Sequence, residues 1–146
     1  MTGKALWEKY ARENRVSIGE YDQWAFGVDA DLLAALVAAG EKTATASAYP
    51  LYELEDEALP REGEYSVILD SRENAVCVIR NTRVYVTAFE EVTEEHARKE
   101  GEGDKSLTYW RKVHEDFFRA CLGEAGLAFT PEMKVVCEEF EVVYKA

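Results

Sequence analysis

The sequence has few features of a membrane protein or of a secreted disulfide scaffold. It contains no apolar run long enough to span a bilayer, and Met1 is not followed by the apolar core of a signal peptide. We therefore expect a cytoplasmic protein with no membrane partner. Its three cysteines, Cys77, Cys121 and Cys137, are far apart and match no metal-binding spacing, which predicts buried free thiols.

The sequence is also poor in positive charge and in histidine. Lysine and arginine number 17 against 29 aspartates and glutamates, which gives a net charge of -12. This balance argues against a long groove for duplex nucleic acid, because such grooves bind through many phosphate contacts. A nucleoside, a nucleotide or a short single strand of RNA fits it better. With two histidines and no Ser-His-Asp pattern, a catalytic triad of that kind is not expected.

The 146 residues suit one domain with a hydrophobic core. We expect residues 1–22 to form a helical extension packed on a domain that spans residues 23–146. Within this domain, a helix that ends at Gly40 precedes strand-like runs, and these include separate strands at 75–79 and 82–89. A helix beginning near Ser106 then precedes a last strand. This order predicts an α+β fold in which a small β-barrel has flanking helices.

The apolar spacing of the helix after Ser106 predicts which of its faces is buried. The predicted stripe consists of Leu107, Trp110, Val113, Phe117, Ala120 and Cys121. His114 is then most simply a partly exposed residue of this helix. Earlier in the chain, residues 21–27 predict a loop that carries aromatic side chains. Trp24 in that loop packs in the core or stacks on a base.

Residues 40–49 bring one lysine close to two threonines and a serine, directly after a helix. Residues 100–104 form an acidic, glycine-rich segment, and we interpret the two stretches as opposite walls of one polar pocket. A desolvated Lys42 can take a proton from a hydroxyl, which makes Thr45 a candidate nucleophile. Glu100, Glu102 and Asp104 are candidates to pass that proton to a leaving group.

Two simpler interpretations of the same residues remain open. Lys42 would also complement the dipole of the preceding helix without any chemistry. Glu100, Glu102, Asp104 and His96 have the oxygen and nitrogen atoms that bind a cation, but their spacing matches no calcium loop. The sequence therefore predicts no metal and no other cofactor.

The order of several short motifs resembles that of the ASCH domain family. These motifs are Gly40-x-Lys42-Thr43-x-Thr45, Leu59-Pro60-x-x-Gly63, Val84-x-Val86-x-x-Phe89 and His96-Ala97-x-x-Glu100. The resemblance extends from Trp24 to Tyr144, and the acidic segment after residue 100 is similar to the longer branch of the family. It implies a fold like that of the PUA domain.

The resemblance also implies a link to RNA. Some family members hydrolyse the amide of N4-acetylcytidine, others are described as ribonucleases, and some only bind RNA. In the hydrolases the motif implies Lys42 as base, Thr45 as nucleophile, and Glu100 as proton donor and acceptor. Ser47 departs from the small hydrolases, which have arginine at this position.

From these observations the first hypothesis is a hydrolase of an acylated nucleoside amide. The alternatives are a single-stranded RNA-binding module or ribonuclease, and a non-catalytic regulatory domain that binds a small ligand. The predicted substrate-binding residues are Trp24, Ser47, Tyr49, Glu102, Asp104 and Arg111.

Overall fold

The structure is a computed structural model that describes residues 1–17 and 19–146. Within these residues the strands are β1 (Asp22–Trp24), β2 (Ala44–Ala48), β3 (Tyr65–Leu69), β4 (Ala75–Ala88) and β5 (Lys134–Lys145). The helices are α1 (Gly3–Asn14), α2 (Ala30–Ala38), α3 (Tyr49–Leu54), α4 (Glu94–Glu100) and α5 (Leu107–Glu124). A 3-10 turn at Phe89–Glu91 links β4 to the segment before α4.

The strands form one sheet in the order β1-β3-β4-β5-β2. β1 pairs parallel with β3, and every other pairing is antiparallel. The ladder between β4 and β5 shifts register between Val78 and Ile79 and again between Asn81 and Arg83. Such irregularities bend a strand and increase its twist, and the sheet curls into a half-barrel. The predicted α+β fold, with a small barrel-like sheet and flanking helices, is confirmed.

Two local predictions differ from the structure. Residues 75–79 and 82–89 were expected as separate strands, but residues 75–88 form the single strand β4. The pairing with β5 shifts register between Asn81 and Arg83 but continues on both sides of this shift, so the strand is not interrupted. The predicted loop at residues 21–27 contains β1, because its backbone pairs with β3.

Helix α1 covers the sheet at β3 and β4. Thr2 caps it by accepting a hydrogen bond from the Ala5 amide at 3.1 Å. The buried side of α1 includes Leu6 and Trp7, which pack in one cluster with Val67 and Val78 of the sheet. None of the residues of α1 lines the cavity that contains the candidate functional site.

Helix α5 buries a line of side chains different from the one predicted. Trp110, Phe118 and Leu122 are buried, whereas Ala120 is exposed. The inward line advances four residues at a time from Trp110 through His114, since the imidazole of His114 faces a buried carboxylate. A polar residue on the inward face interrupts the apolar pattern on which the prediction depended.

The three cysteines are free, and Cys77 and Cys137 are buried while Cys121 is partly buried. No helix within residues 1–17 and 19–146 is long and apolar enough to cross a membrane.

Candidate functional site

A cavity of about 610 Å³ lies against all five strands of the sheet. Its other walls come from α5 and from the segments that precede α2 and β3. Five aromatic side chains line it together with polar and acidic groups. These aromatic residues are Trp24, Phe26, Tyr52, Tyr109 and Phe117. A volume of this size is typical of sites for small organic ligands.

Lys42 lies in the short link between α2 and β2. Gly40 adopts a φ of 78° after α2, a left-handed conformation that glycine adopts without strain and that commonly ends a helix. The backbone amides of Glu41 and Lys42 then donate to the Leu36 carbonyl. Because β2 begins only at Ala44, the side chains of Lys42 and Thr45 need not follow the alternation of a regular strand.

The acidic segment contacts this link at Gly101, the residue after α4. Gly101 has a φ of 71°, and a Cβ atom there would lie 2.2 Å from the Glu41 carbonyl oxygen. Only glycine permits this approach. A backbone hydrogen bond of 2.7 Å from the Thr43 amide to the Lys99 carbonyl joins the same two segments. Glu100 and Glu102, on either side of the glycine, are therefore held against Lys42.

The Lys42 side chain is only 1% exposed and is surrounded by oxygen acceptors. Its Nζ lies 2.8 Å from Glu102 Oε2, 2.9 Å from the Ala44 carbonyl oxygen and 3.3 Å from Glu100 Oε1. These three acceptors match the three N–H bonds of an ammonium group. Lys42 thus forms ion pairs with two carboxylates at the edge of the cavity.

Glu100 is likewise 1% exposed and accepts hydrogen bonds at both of its oxygens. Oε2 lies 2.5 Å from Trp110 Nε1 and 2.6 Å from His96 Nε2, whereas Oε1 lies 3.3 Å from both Lys42 Nζ and His114 Nε2. Burial alone would raise the pKa of this carboxyl. The charges of Lys42 and His114, with the hydrogen bonds from both histidines, hold the pKa well below its usual range.

His114 has hydrogen-bond acceptors at both ring nitrogens. Nδ1 lies 2.9 Å from the Trp110 carbonyl oxygen, and Nε2 faces Glu100. Burial lowers the pKa of His114, but Glu100 outweighs it, and the net effect is a raised pKa. The ring also stacks on Trp110, with the centroids 4.2 Å apart. The network therefore places Lys42 and His114 against the carboxylates of Glu100 and Glu102.

The hydroxyl groups near Lys42 differ in position. Thr45 lines the cavity, whereas the Thr43 hydroxyl donates to the Lys99 carbonyl oxygen at 3.3 Å. Ser47 also lines the cavity, and its Oγ lies 2.8 Å from the hydroxyl of Tyr52. Of the two threonines predicted near the lysine, Thr45 is the one that a bound ligand would contact.

The structure brings six of the nine predicted site residues to the cavity and leaves three elsewhere. The six are Lys42, Thr45, Glu100, Trp24, Ser47 and Glu102. Asp104 is exposed, and its Oδ1 accepts a hydrogen bond from the amide of Ser106, the N-cap residue of α5, at 2.9 Å. Arg111 is exposed and donates to the Glu90 carbonyl oxygen at 2.9 Å. Tyr49 is covered by the Lys134 ammonium group, 5.5 Å from its ring centroid.

Two further residues of the cavity were missed by the sequence analysis. His114 was interpreted as a partly exposed residue of the helix, although its spacing of four from Trp110 and Phe118 was a signal that it faces inward. Glu138 of β5 shares one face of the strand with Val136 and Phe140, so the sequence already shows an acid on an otherwise apolar face. Burial raises the pKa of Glu138, with added repulsion from Glu64 and Asp22 and an opposing hydrogen bond from Asn81.

Glu100, Glu102 and His114 are close enough to share a metal ion, since one ligand atom of each lies within 4.8 Å of the others. The Lys42 ammonium, however, already contacts both of these carboxylates. A divalent cation between them would meet the charge of Lys42 at short range, and it would have to displace a proton from His114 for that ring to bind it, so this donor set fits a metal poorly.

Comparisons with known proteins agree with this architecture. A sequence model of the ASCH domain matches residues 22–144. The ASCH domain from Lactobacillus crispatus is 32% identical with a TM-score of 0.92, covering 97% of this chain and 94% of that chain. A protein from Enterococcus faecalis is 34% identical with a TM-score of 0.91, covering 98% and 88%. No curated protein matches the chain.

A more distant structure shares the fold alone. The ASCH protein from Zymomonas mobilis has 10% identity and a TM-score of 0.53, covering 84% of this chain and 68% of that chain. The family model covers most of the sequence, and two solved structures above 30% identity cover nearly all of it. This chain, with its PUA-like fold, belongs to the ASCH domain family.

Proposed function

We propose that this protein hydrolyses the amide bond of an acylated nucleoside or a similar small amide. The observation that supports this best is the buried Lys42 ammonium, which contacts Glu100 and Glu102 at the edge of a cavity lined by Thr45. Acyl transfer through a covalent intermediate requires a nucleophilic hydroxyl, an amine that accepts its proton, and a carboxylate that can take up and release a proton.

In this proposal Thr45 Oγ1 attacks the carbonyl carbon of the amide. The proton of the hydroxyl passes to Lys42 after Lys42 has given one of its own protons to a carboxylate. That carboxylate then protonates the leaving nitrogen, the C–N bond breaks, and an amine departs. Water attacks the acyl ester of Thr45 by the same proton route and releases a carboxylic acid. Lys42 ends as an ammonium, and the threonine is regenerated.

The two carboxylates suit different parts of this cycle. Glu100 is buried, accepts four hydrogen bonds and has a strongly lowered pKa, which makes it a poor proton donor near neutral pH. Its part in the catalytic set is to orient Lys42. Glu102 is 17% exposed, lines the cavity and contacts Lys42 at 2.8 Å. We assign to Glu102 the proton that reaches the leaving nitrogen.

The charge around the cavity supports this proposal over RNA binding. Its acidic lining residues are Glu20, Asp22, Asp29, Glu57, Glu64, Glu100, Glu102 and Glu138. Its lysine and arginine residues are Lys42 and Arg61. A phosphate backbone would be repelled by such a lining, whereas an uncharged amide would not. Single-stranded RNA binding remains the second candidate because Trp24 and Tyr109 offer ring faces for base stacking.

The test is release of cytidine and acetate from N4-acetylcytidine by the purified protein. We expect Thr45→Ala to lose activity by about 1,000-fold or more, on the scale of removing a nucleophile, and Thr45→Ser to retain part of it. Thr82→Ala is a matched control, since Thr82 is exposed on β4 and outside the cavity. No release by wild-type protein at high concentration, or full activity of Thr45→Ala, would contradict the proposal.

A further inference from the structure

A row of polar side chains crosses the sheet along the cavity. Each strand contributes at least one member, and these are Asp22 of β1, Ser66 of β3, Asn81 of β4, Glu138 of β5 and Thr45 of β2. Asp22 is paired in register with Ser66, and Thr45 with Glu138. A sheet face that only packed against a core would be apolar, so this polar row belongs to the face that borders the cavity and that a bound ligand would meet.

Glu138 is the member of this row that lies beside the proposed nucleophile. Directly paired residues on antiparallel strands point to the same face, with Cβ atoms about 5 Å apart. The Glu138 carboxyl therefore faces the same part of the cavity as the Thr45 hydroxyl. Asn81, 8% exposed, orients it by donating from Nδ2 to Glu138 Oε1 at 3.2 Å, and the same amide lies 3.4 Å from the Arg61 carbonyl oxygen.

The surroundings of Glu138 offer acceptors and negative charge. Glu64 and Asp22 act on it through their charges, and both line the cavity. Arg61, a basic residue of the cavity lining, has a side chain that is 80% exposed and pairs with Glu64 at 3.3 Å. Lys42, on the opposite wall, already contacts two carboxylates. Within the described residues, both lysine and arginine side chains of the lining are thus paired with acids.

We propose that Glu138, oriented by Asn81, is a specificity-determining residue that accepts a hydrogen bond from an N–H group of the ligand next to the scissile carbonyl. The ligand is then an uncharged or cationic molecule that presents an N–H group at this point, and it bears no phosphate. This inference rests on the proposed function for the position of the scissile bond. It adds which chemical group Glu138 recognises beside the proposed nucleophile.

The test compares cytidine with two other probes. Cytidine presents an exocyclic amino group beside an unprotonated N3, uridine presents a carbonyl oxygen at the same position beside an N3–H group, and cytidine 5′-monophosphate adds a phosphate to cytidine. Binding is measured by NMR titration, with the side-chain amide of Asn81 as a local reporter. We expect wild-type protein to bind cytidine at least about tenfold more tightly than either other probe, the scale of one hydrogen bond to a charged group.

Glu138→Gln is the decisive variant because it retains the shape and removes the charge. A glutamine amide can donate to a carbonyl as well as accept from an amino group, so the preference for cytidine over uridine should fall to about twofold or less. Glu141→Gln, an exposed position on the same strand, makes the same charge change and should preserve the preference.

These binding measurements separate the two proposals. Selective binding of cytidine without hydrolysis of N4-acetylcytidine would overturn the hydrolase proposal and support the role of Glu138. Hydrolysis with an unchanged cytidine preference in Glu138→Gln would overturn the role of Glu138 alone. Equal or tighter binding of the monophosphate, or no binding of any probe at 10 mM, would also overturn the proposed role of Glu138.

Discussion

Lys42 and Glu100 are 58 residues apart in sequence and form a fully buried ion pair, with Nζ 3.3 Å from Oε1. Neither group is solvated by water to any extent, since each is 1% exposed. Two desolvated charges remain stable only when each has its partner and its hydrogen bonds. The stability of the fold and the geometry of the site therefore depend on the same few atoms.

Replacing Lys42 with methionine should destabilise the protein strongly. The substitution leaves Glu100 and Glu102 without their shared cation, and breaking a buried pair costs about 3–5 kcal/mol of unfolding free energy. Urea denaturation measures the loss. Lys112→Met, which breaks an exposed pair with Asp116, should cost less than about 1 kcal/mol.

A second substitution tests whether the cost of Lys42→Met comes from unpaired charge. Adding Glu102→Gln to Lys42→Met removes one of the two stranded carboxylates, so the double variant should recover part of the lost stability. If the double variant is less stable by the sum of the single effects, the stranded charge is not the cause.

Gly101 should tolerate no side chain. Gly101→Ala forces a Cβ atom to within 2.2 Å of the Glu41 carbonyl oxygen and requires a non-glycine residue at a φ of 71°. Relief requires the acidic segment to move away from Lys42, which should lower both the unfolding temperature and the activity. Gly123→Ala is the matched control, because a Cβ atom there meets nothing within 4 Å and alanine favours the helix by about 0.5–1 kcal/mol. An active, fully stable Gly101→Ala variant would contradict the contact.

The His114–Glu100 pair should make stability depend on pH in a defined direction. The pKa of His114 is raised in the folded protein, so its contribution is complete below the unfolded value of about 6.5 and decreases as pH rises through the raised pKa. The pKa of Glu100 is lowered, so its contribution is present above its unfolded value and is lost as pH falls through the lowered pKa.

NMR titration of the imidazole ring measures this coupling directly. In wild-type protein the His114 ring should titrate above the usual value for histidine. In Glu100→Gln the burial of the ring remains while the opposing charge of Glu100 is gone, so the pKa of His114 should fall. An unchanged His114 titration in Glu100→Gln would show that this charge does not control it.

Glu138→Gln should stabilise the protein near neutral pH. The pKa of Glu138 is raised mainly by burial, so the folded state is penalised once the carboxyl ionises. The variant should unfold at a higher temperature than wild type at pH 7.5, and the difference should disappear at pH 4, where the wild-type carboxyl is protonated. Added salt should change this difference in unfolding temperature little, because the cost of burying a charge is not a long-range effect that salt screens. Greater stability together with lost ligand selectivity would be typical of a functional residue.

The sequence predicted the pairing of the two site segments more successfully than the details of their surroundings. Gly40 correctly indicated that α2 ends just before it and that Lys42 lies beyond the helix, in the link to β2. The positions of Asp104 and Arg111 depend on local geometry that motifs do not encode. Asp104 accepts a hydrogen bond from the Ser106 amide just before α5, and Arg111 donates to the Glu90 carbonyl oxygen.

Contacts between segments that are distant in the sequence explain the other differences. The role of His114 follows from Glu100, which reaches α5 only through the packing of α4 against it. Helical periodicity alone favours apolar residues on the inward face, and the histidine was therefore interpreted as partly exposed. Similarly, Glu138 becomes part of the cavity only because β5 pairs with β2 opposite Thr45, a register that depends on distant segments of the chain.

The arrangement of the sheet also bears on self-association. Its two longest strands, β4 and β5, lie in the interior, whereas the edge strands β1 and β2 contain only three and five residues. Long, unpaired edge strands are templates for intermolecular pairing, and short edges give an incoming chain little backbone to bind. The half-barrel can therefore leave a ligand cavity open along its strands while remaining resistant to edge-to-edge aggregation.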